Sequence, residues 1–166
     1  MSESNSSELK SKTWADGRDL ILERRIDSKP ARVYAAWTQP ELIKQWFAPA
    51  PWSVSEARSD LRVGGSSLIV MRGPDGAEFP GRGVYLEVSP ERLVFTDAFV
   101  EAWTPSEKPF MTVMLDFEPD GTGTLYRATV RHWSQADRES HEAMGFHQGW
   151  ALCAEQLAAL VESVRS

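Results

Sequence analysis

The chain has 166 residues, 42% of them hydrophobic, and a formal net charge of −6. That length fits one domain burying about 70% of its unfolded surface, with no need for a disulfide or metal to hold it together. A single cysteine, Cys153, excludes an intrachain disulfide and fits a reducing cytoplasm, dispersed arginines under a negative net charge disfavour nucleic acid and anionic membrane as partners, and no window is apolar enough to span a bilayer.

Residues 1–17 are rich in Ser, Glu, Lys and Asn, with Leu9 and Trp14 as the apolar anchors and no apolar stretch of a secretory signal. They are expected to form a disordered tail, with the folded domain occupying residues 18–166. Leu20, Leu22, Arg24 and Ile26 alternate with Ile21, Glu23 and Arg25, the period of a first strand. Ser28 followed by Pro30 opens a short helix carrying Val33, Tyr34 and Trp37 on one face. Thr38-Gln39-Pro40-Glu41 opens a second, carrying Leu42, Ile43, Trp46 and Phe47.

From residue 52 to 133 the pattern becomes β. Turn chemistry at Gly64-Gly65, Gly73-Pro74-Asp75-Gly76, Ser89-Pro90-Glu91 and Pro119-Asp120-Gly121 separates runs near 53–59, 67–72, 79–88, 92–99, 110–118 and 123–132. Short connections make successive strands antiparallel neighbours, about seven with the first. Ser134, with Asp137 three residues on, then caps a long C-terminal helix. Phe146, Trp150, Cys153, Leu157, Leu160 and Val164 make its apolar stripe, and Met144, His147, Ala151, Ala154 and Ala158 a thinner one beside it. An α+β fold follows, with a helix covering one face of an antiparallel sheet.

Candidate chemistry is sparse. His141-Glu142-Ala143-Met144-Gly145 misses the zinc-protease motif because Gly145 stands at the second histidine position, so no metal or other cofactor is expected. Gly81-Arg82-Gly83 and Gly64-Gly65-Ser66-Ser67 do not continue into a phosphate-binding loop. Cys153 lies on the apolar stripe, as a buried structural thiol does. His132 ends a strand and could serve a cavity as a lone base, although a hydrogen-bonded structural histidine is the commoner case. No catalytic residue is assigned. Trp46, Phe47 and Trp52 cluster around Pro49 and Pro51, which suits a pocket rim as well as core closure. Gly145 and Gly149, expected mid-helix, each cost about 1 kcal/mol relative to alanine, so close approach of a backbone, ring or ligand is expected there.

The runs Trp46-Phe47-Ala48-Pro49-Ala50-Pro51-Trp52, Asp60-Leu61-Arg62-Val63-Gly64-Gly65, Met71-Arg72-Gly73-Pro74-Asp75-Gly76 and His141 to Trp150 resemble the bacterial branch of the START-like (SRPBCC) superfamily. Within it, the similarity is to proteins related to the activator of the ninety-kilodalton heat-shock chaperone's ATPase, and it covers residues 18–164. The resemblance implies a helix-grip fold: a curved antiparallel sheet around a long C-terminal helix, with two short helices after the first strand. It also implies a pocket for a small hydrophobic molecule, but it transfers no catalytic residue. Trp46, Phe47, Trp52, Met71, Tyr85, Phe95, His132, Met144 and His147 are the residues expected near that pocket. A cyclase or hydrolase using His132 or His147 as base, and an interaction module regulating a chaperone, are the alternatives, and a homodimer is left open.

Overall fold

A computed structural model describes residues 10–163. The strands are β1 (Lys12–Asp16), β2 (Asp19–Ile26), β3 (Ser53–Ser59), β4 (Ser66–Arg72), β5 (Glu78–Val88), β6 (Arg92–Thr96), β7 (Phe99–Glu101), β8 (Thr104–Pro105), β9 (Met111–Asp120) and β10 (Gly123–His132). The helices are α1 (Pro30–Thr38) and α2 (Pro40–Trp46), between β2 and β3, and α3 (Gln135–Ala143) and α4 (Phe146–Glu162) after β10. Eight strands make one sheet in the order β1-β2-β10-β9-β6-β5-β4-β3, every neighbouring pair antiparallel, while β7 and β8 form a separate hairpin. This is the α+β helix-grip fold expected.

Two register shifts help to bend the sheet, between Val54 and Glu56 in β3 and between Tyr85 and Glu87 in β5. Bulges of this kind raise local twist and turn a strand aside. At Gly83 of β5 a side chain would collide with the Thr96 carbonyl, so glycine lets that backbone approach closely. Leu20, Leu22 and Ile26 of β2, Leu115 and Phe117 of β9, and Val130 of β10 are buried in one core with Phe146, Leu157 and Val161 of α4. The indole N–H of Trp37 donates to Tyr126 Oη (3.0 Å) and that of Trp46 to the Ala36 carbonyl (3.0 Å), so both large rings are buried without a stranded donor.

Three expectations are corrected. The tail expected up to residue 17 is shorter, because Lys12–Asp16 pairs with Asp19–Glu23 as an edge strand; residues 1–9, Leu9 included, lie outside the described residues. Trp14 stands opposite Ile21, with the Arg127 guanidinium 6.0 Å from its ring. A polar segment with such anchors suits a sheet edge, where one side of the strand stays in water. Second, Lys29 rather than Ser28 occupies the cap position of α1, directly before Pro30. Ser28 is buried instead, its carbonyl accepting the Thr124 hydroxyl at 2.7 Å.

Third, the C-terminal helix is not continuous. Ser134 caps α3 as expected, accepting from the Asp137 backbone N–H at 3.1 Å, but α3 stops at Ala143 and α4 starts at Phe146. Gly145 between them has φ of 101°, a left-handed conformation that side-chain-bearing residues rarely adopt. The apolar spacing continues across this break, which is why the two helices read as one. Val164 lies outside the described residues.

Candidate functional site: an apolar cavity between sheet and helix

A cavity of about 830 Å³ opens between the sheet and α4. Trp37 and Trp46 from the short helices, Phe47 directly after them, Ile69, Met71 and Phe95 from the sheet, and Phe146, Trp150 and Cys153 from α4 supply most of its apolar wall. The volume lies within the range of small-molecule pockets, and the wall is mostly apolar. The aromatic segment after α2 is fastened to α4. Gln156 Nε2 donates to the carbonyls of Trp46 (2.7 Å) and Ala48 (2.8 Å), its Oε1 accepts from Ala50 N–H (3.1 Å), and the Cys153 thiol donates to the Phe47 carbonyl (2.9 Å).

Of the nine residues expected near a pocket, Trp46, Phe47, Met71, Phe95 and Met144 line this cavity. Trp52 does not; its half-exposed ring packs on Phe79, with centroids 5.6 Å apart. Tyr85 is buried edge-on to Phe95, its hydroxyl 2.9 Å from Ser59 Oγ. His147 is engaged elsewhere: Nε2 donates to Glu142 Oε2 (2.7 Å) and Nδ1 lies 2.7 Å from Thr13 Oγ1, tying α4 to β1. That bond, and a second from Arg138, hold the Glu142 carboxyl below its ordinary range.

His132 is 1% exposed and does not line the cavity, but it holds a residue that does. His132 Nδ1 lies 2.9 Å from the Arg18 carbonyl, and Nε2 lies 2.9 Å from Nδ1 of His141. A carbonyl can only accept, so Nδ1 of His132 carries the proton. In the neutral ring Nε2 then accepts, and His141 Nδ1 donates to it. The His141 ring sits between Phe110 and Phe146, with centroids 5.1 and 5.2 Å away. Desolvation, and then the neighbouring His132, bring its pKa down to about 4. His141 is therefore neutral at physiological pH, with Nε2 an acceptor that has no hydrogen-bond partner among the described residues.

His141 is absent from the residues expected at the pocket. Its signal was its place after the break from β10 to α3, which brings it back beside His132. Trp37, Phe146 and Trp150 were expected on apolar faces, and a cavity wall has the same periodicity as a packed core. Gly149 also lines the cavity, and a methyl there would meet nothing within 4 Å, so this glycine widens the space rather than admitting a packed neighbour. Burial pushes the Cys153 thiol up to about 12. Arg82, Asp97, Ser106 and Lys108 add polar groups to the lining, and Asp97 Oδ1 is occupied by the backbone N–H groups of Phe110 and Met111 (2.8 and 3.0 Å). Among the described residues, no three of His, Cys, Asp or Glu are grouped to hold a metal ion, and no helix is long and apolar enough to cross a membrane.

A curved antiparallel sheet gripping a C-terminal helix around an apolar cavity defines a START-like, helix-grip protein. Comparison with known proteins narrows this. The family model for "Activator of Hsp90 ATPase homolog 1-like protein" matches residues 27–162, and the chain belongs to that family. A crystal structure of protein NE0264 from Nitrosomonas europaea is 39% identical, with a TM-score of 0.86 over 90% of this chain and 97% of that one. A Rhodobacter sphaeroides protein (20% identity, TM-score 0.81, 93% and 99% covered) and the AHSA1-like protein of Aeromonas hydrophila (24%, 0.68, 87% and 92%) share the fold. Among curated proteins none matches the chain.

Proposed function

We propose that the chain binds a small hydrophobic molecule in the cavity between the sheet and α4. The observation that carries this reading is the cavity itself: about 830 Å³ walled by aromatic and aliphatic side chains, with Gly149 in the first turn of the covering helix leaving its side free. A concave site of this size, mostly apolar with a few polar groups, is what binding of a small hydrophobic molecule needs. Binding is favoured over turnover because the cavity's one thiol is held protonated by burial and donates to a backbone carbonyl.

The test is native mass spectrometry of freshly purified protein for a retained apolar ligand, followed by titration with a fluorescent fatty-acid or sterol analogue. Saturable binding weakened several-fold by Trp46→Ala or Phe47→Ala would support the reading. No retained ligand and no binding, with a crystal structure whose cavity has collapsed, would overturn it.

A further inference from the structure

We infer that the cavity selects apolar molecules that carry a hydroxyl, an alcohol or a phenol, whose O–H donates to Nε2 of His141. The inference rests on the binding reading above and names the polar end of the ligand. Three observations lead to it. With both rings neutral, the chain of hydrogen bonds from the Arg18 carbonyl through His132 to His141 sets the direction of each proton and leaves the last nitrogen, Nε2, as an acceptor. The ring cannot readily turn to present a donor instead, because Phe110 and Phe146 flank it and its Nδ1 is committed to His132. A second polar group on the same cavity is also unpaired: Ser106 Oγ is buried without a hydrogen-bond partner among the described residues. Buried polar atoms are nearly always satisfied, so an orphan of this kind points to a partner that arrives with the ligand.

The same geometry disfavours a carboxylate at this end of the ligand. An anion would face the Nε2 lone pair, and protonating His141 to accommodate it works against both its burial and the adjacent His132. Arg82 and Lys108 also line the cavity, but both are exposed, where water screens their charge. An apolar molecule with no polar group would leave Nε2 and Ser106 Oγ desolvated and unpaired.

Three probes of one shape separate these cases: 4-octylphenol, its methyl ether 4-octylanisole, and 4-octylbenzoate, each titrated calorimetrically into the full chain. The phenol is expected to bind about tenfold more tightly than the ether, with the benzoate weakest. In His141→Phe the phenol and ether should bind alike, the ether as well as to the wild type. In wild-type protein, the ¹⁵N resonance of His141 Nε2 should shift when the phenol binds and stay in place with the ether, which keeps the inference testable if the variant does not fold. Equal binding of phenol and ether by the wild type would overturn the hydroxyl inference and leave the binding reading intact. Preference for the benzoate would overturn it in favour of Arg82 and Lys108. Failure of all three probes to bind would sink both.

Discussion

The guanidinium of Arg24 on β2 meets the carboxylate of Glu155 on α4 side-on, Nε to Oε2 at 2.8 Å and Nη2 to Oε1 at 2.7 Å. The third nitrogen, Nη1, reaches the Arg25 carbonyl at 2.6 Å, so each guanidinium nitrogen of a side chain only 3% exposed has a partner. This two-point contact sets the helix on the sheet where the apolar core alone would allow sliding. Removing the carboxylate strands a buried charge, with Glu162 3.9 Å away as partial compensation. Glu155→Ala should therefore lose about 3 kcal/mol in urea denaturation. The apolar pair Arg24→Met with Glu155→Leu should cost less than the sum of the single changes.

Gly145 and Gly149 should respond with opposite signs. Gly149→Ala adds a methyl to open space, so helix propensity should raise stability by up to ~1 kcal/mol while narrowing the cavity. Gly145→Ala must hold φ near 101° and should lose ~1 kcal/mol or more. Paired denaturation curves read both, and equal signs would contradict the placement of the helix break.

Acid should destabilise the protein in a window set by His141. The unfolded chain takes up a proton near the ordinary 6.5, whereas the folded ring accepts one only near 4. Stability is thus complete above 6.5 and declines as pH falls toward 4, by the equivalent of one proton. Glu142, whose carboxyl is lowered, adds its own loss further into acid. A His141→Gln variant should show a flatter profile between pH 6.5 and 4.5, measured as thermal midpoints in matched buffers. An unchanged slope would show that His141 takes no part.

Cys153 should be inert in the folded state. With its thiol raised to about 12 and bonded to the Phe47 carbonyl, little thiolate is present at pH 8. Iodoacetamide should label it at least a hundredfold more slowly in native protein than in denaturant, and rapid native labelling would contradict its burial.

Truncation should expose the contribution of β1. Removing residues 1–17 deletes the pairing with β2 and the Thr13–His147 contact, and should lower stability by about 1–2 kcal/mol. Removing residues 1–9 serves as the control. Equal stability of the two truncated chains would show that β1 is only loosely docked.

The helix-grip architecture was legible because its signals are local and repeated. Turn signals separate β3, β4, β5 and β6 from one another and β9 from β10, although none marked the β7–β8 hairpin, and the step from Phe146 to Leu157 marks the covering helix. β1 escaped notice because an edge strand needs few apolar residues, and Lys12–Asp16 has little more than Trp14. The cavity was legible in part. Aromatic residues on a proline-rich segment pointed to Trp46 and Phe47, but nothing in spacing tells a wall from a core, so Trp37, Phe146 and Trp150 read as packing. The His132–His141 contact spans nine residues across a strand end and a helix start, beyond any periodic pattern, and only the three-dimensional turn at Ser134 makes it.

Gln156 binds the segment from Trp46 to Ala50 at three points, so that wall of the cavity is latched to α4 rather than hinged. The part of the lining that is open to water lies at Phe79 and Met144, which are 51% and 73% exposed, and on the proposed binding reading a ligand enters there. On that reading, entry and recognition are separated along the molecule, with exposed side chains at the threshold and the fastened aromatic wall holding the ligand. Exchange rates should accordingly be tuned at Met144, and equilibrium affinity at Trp46.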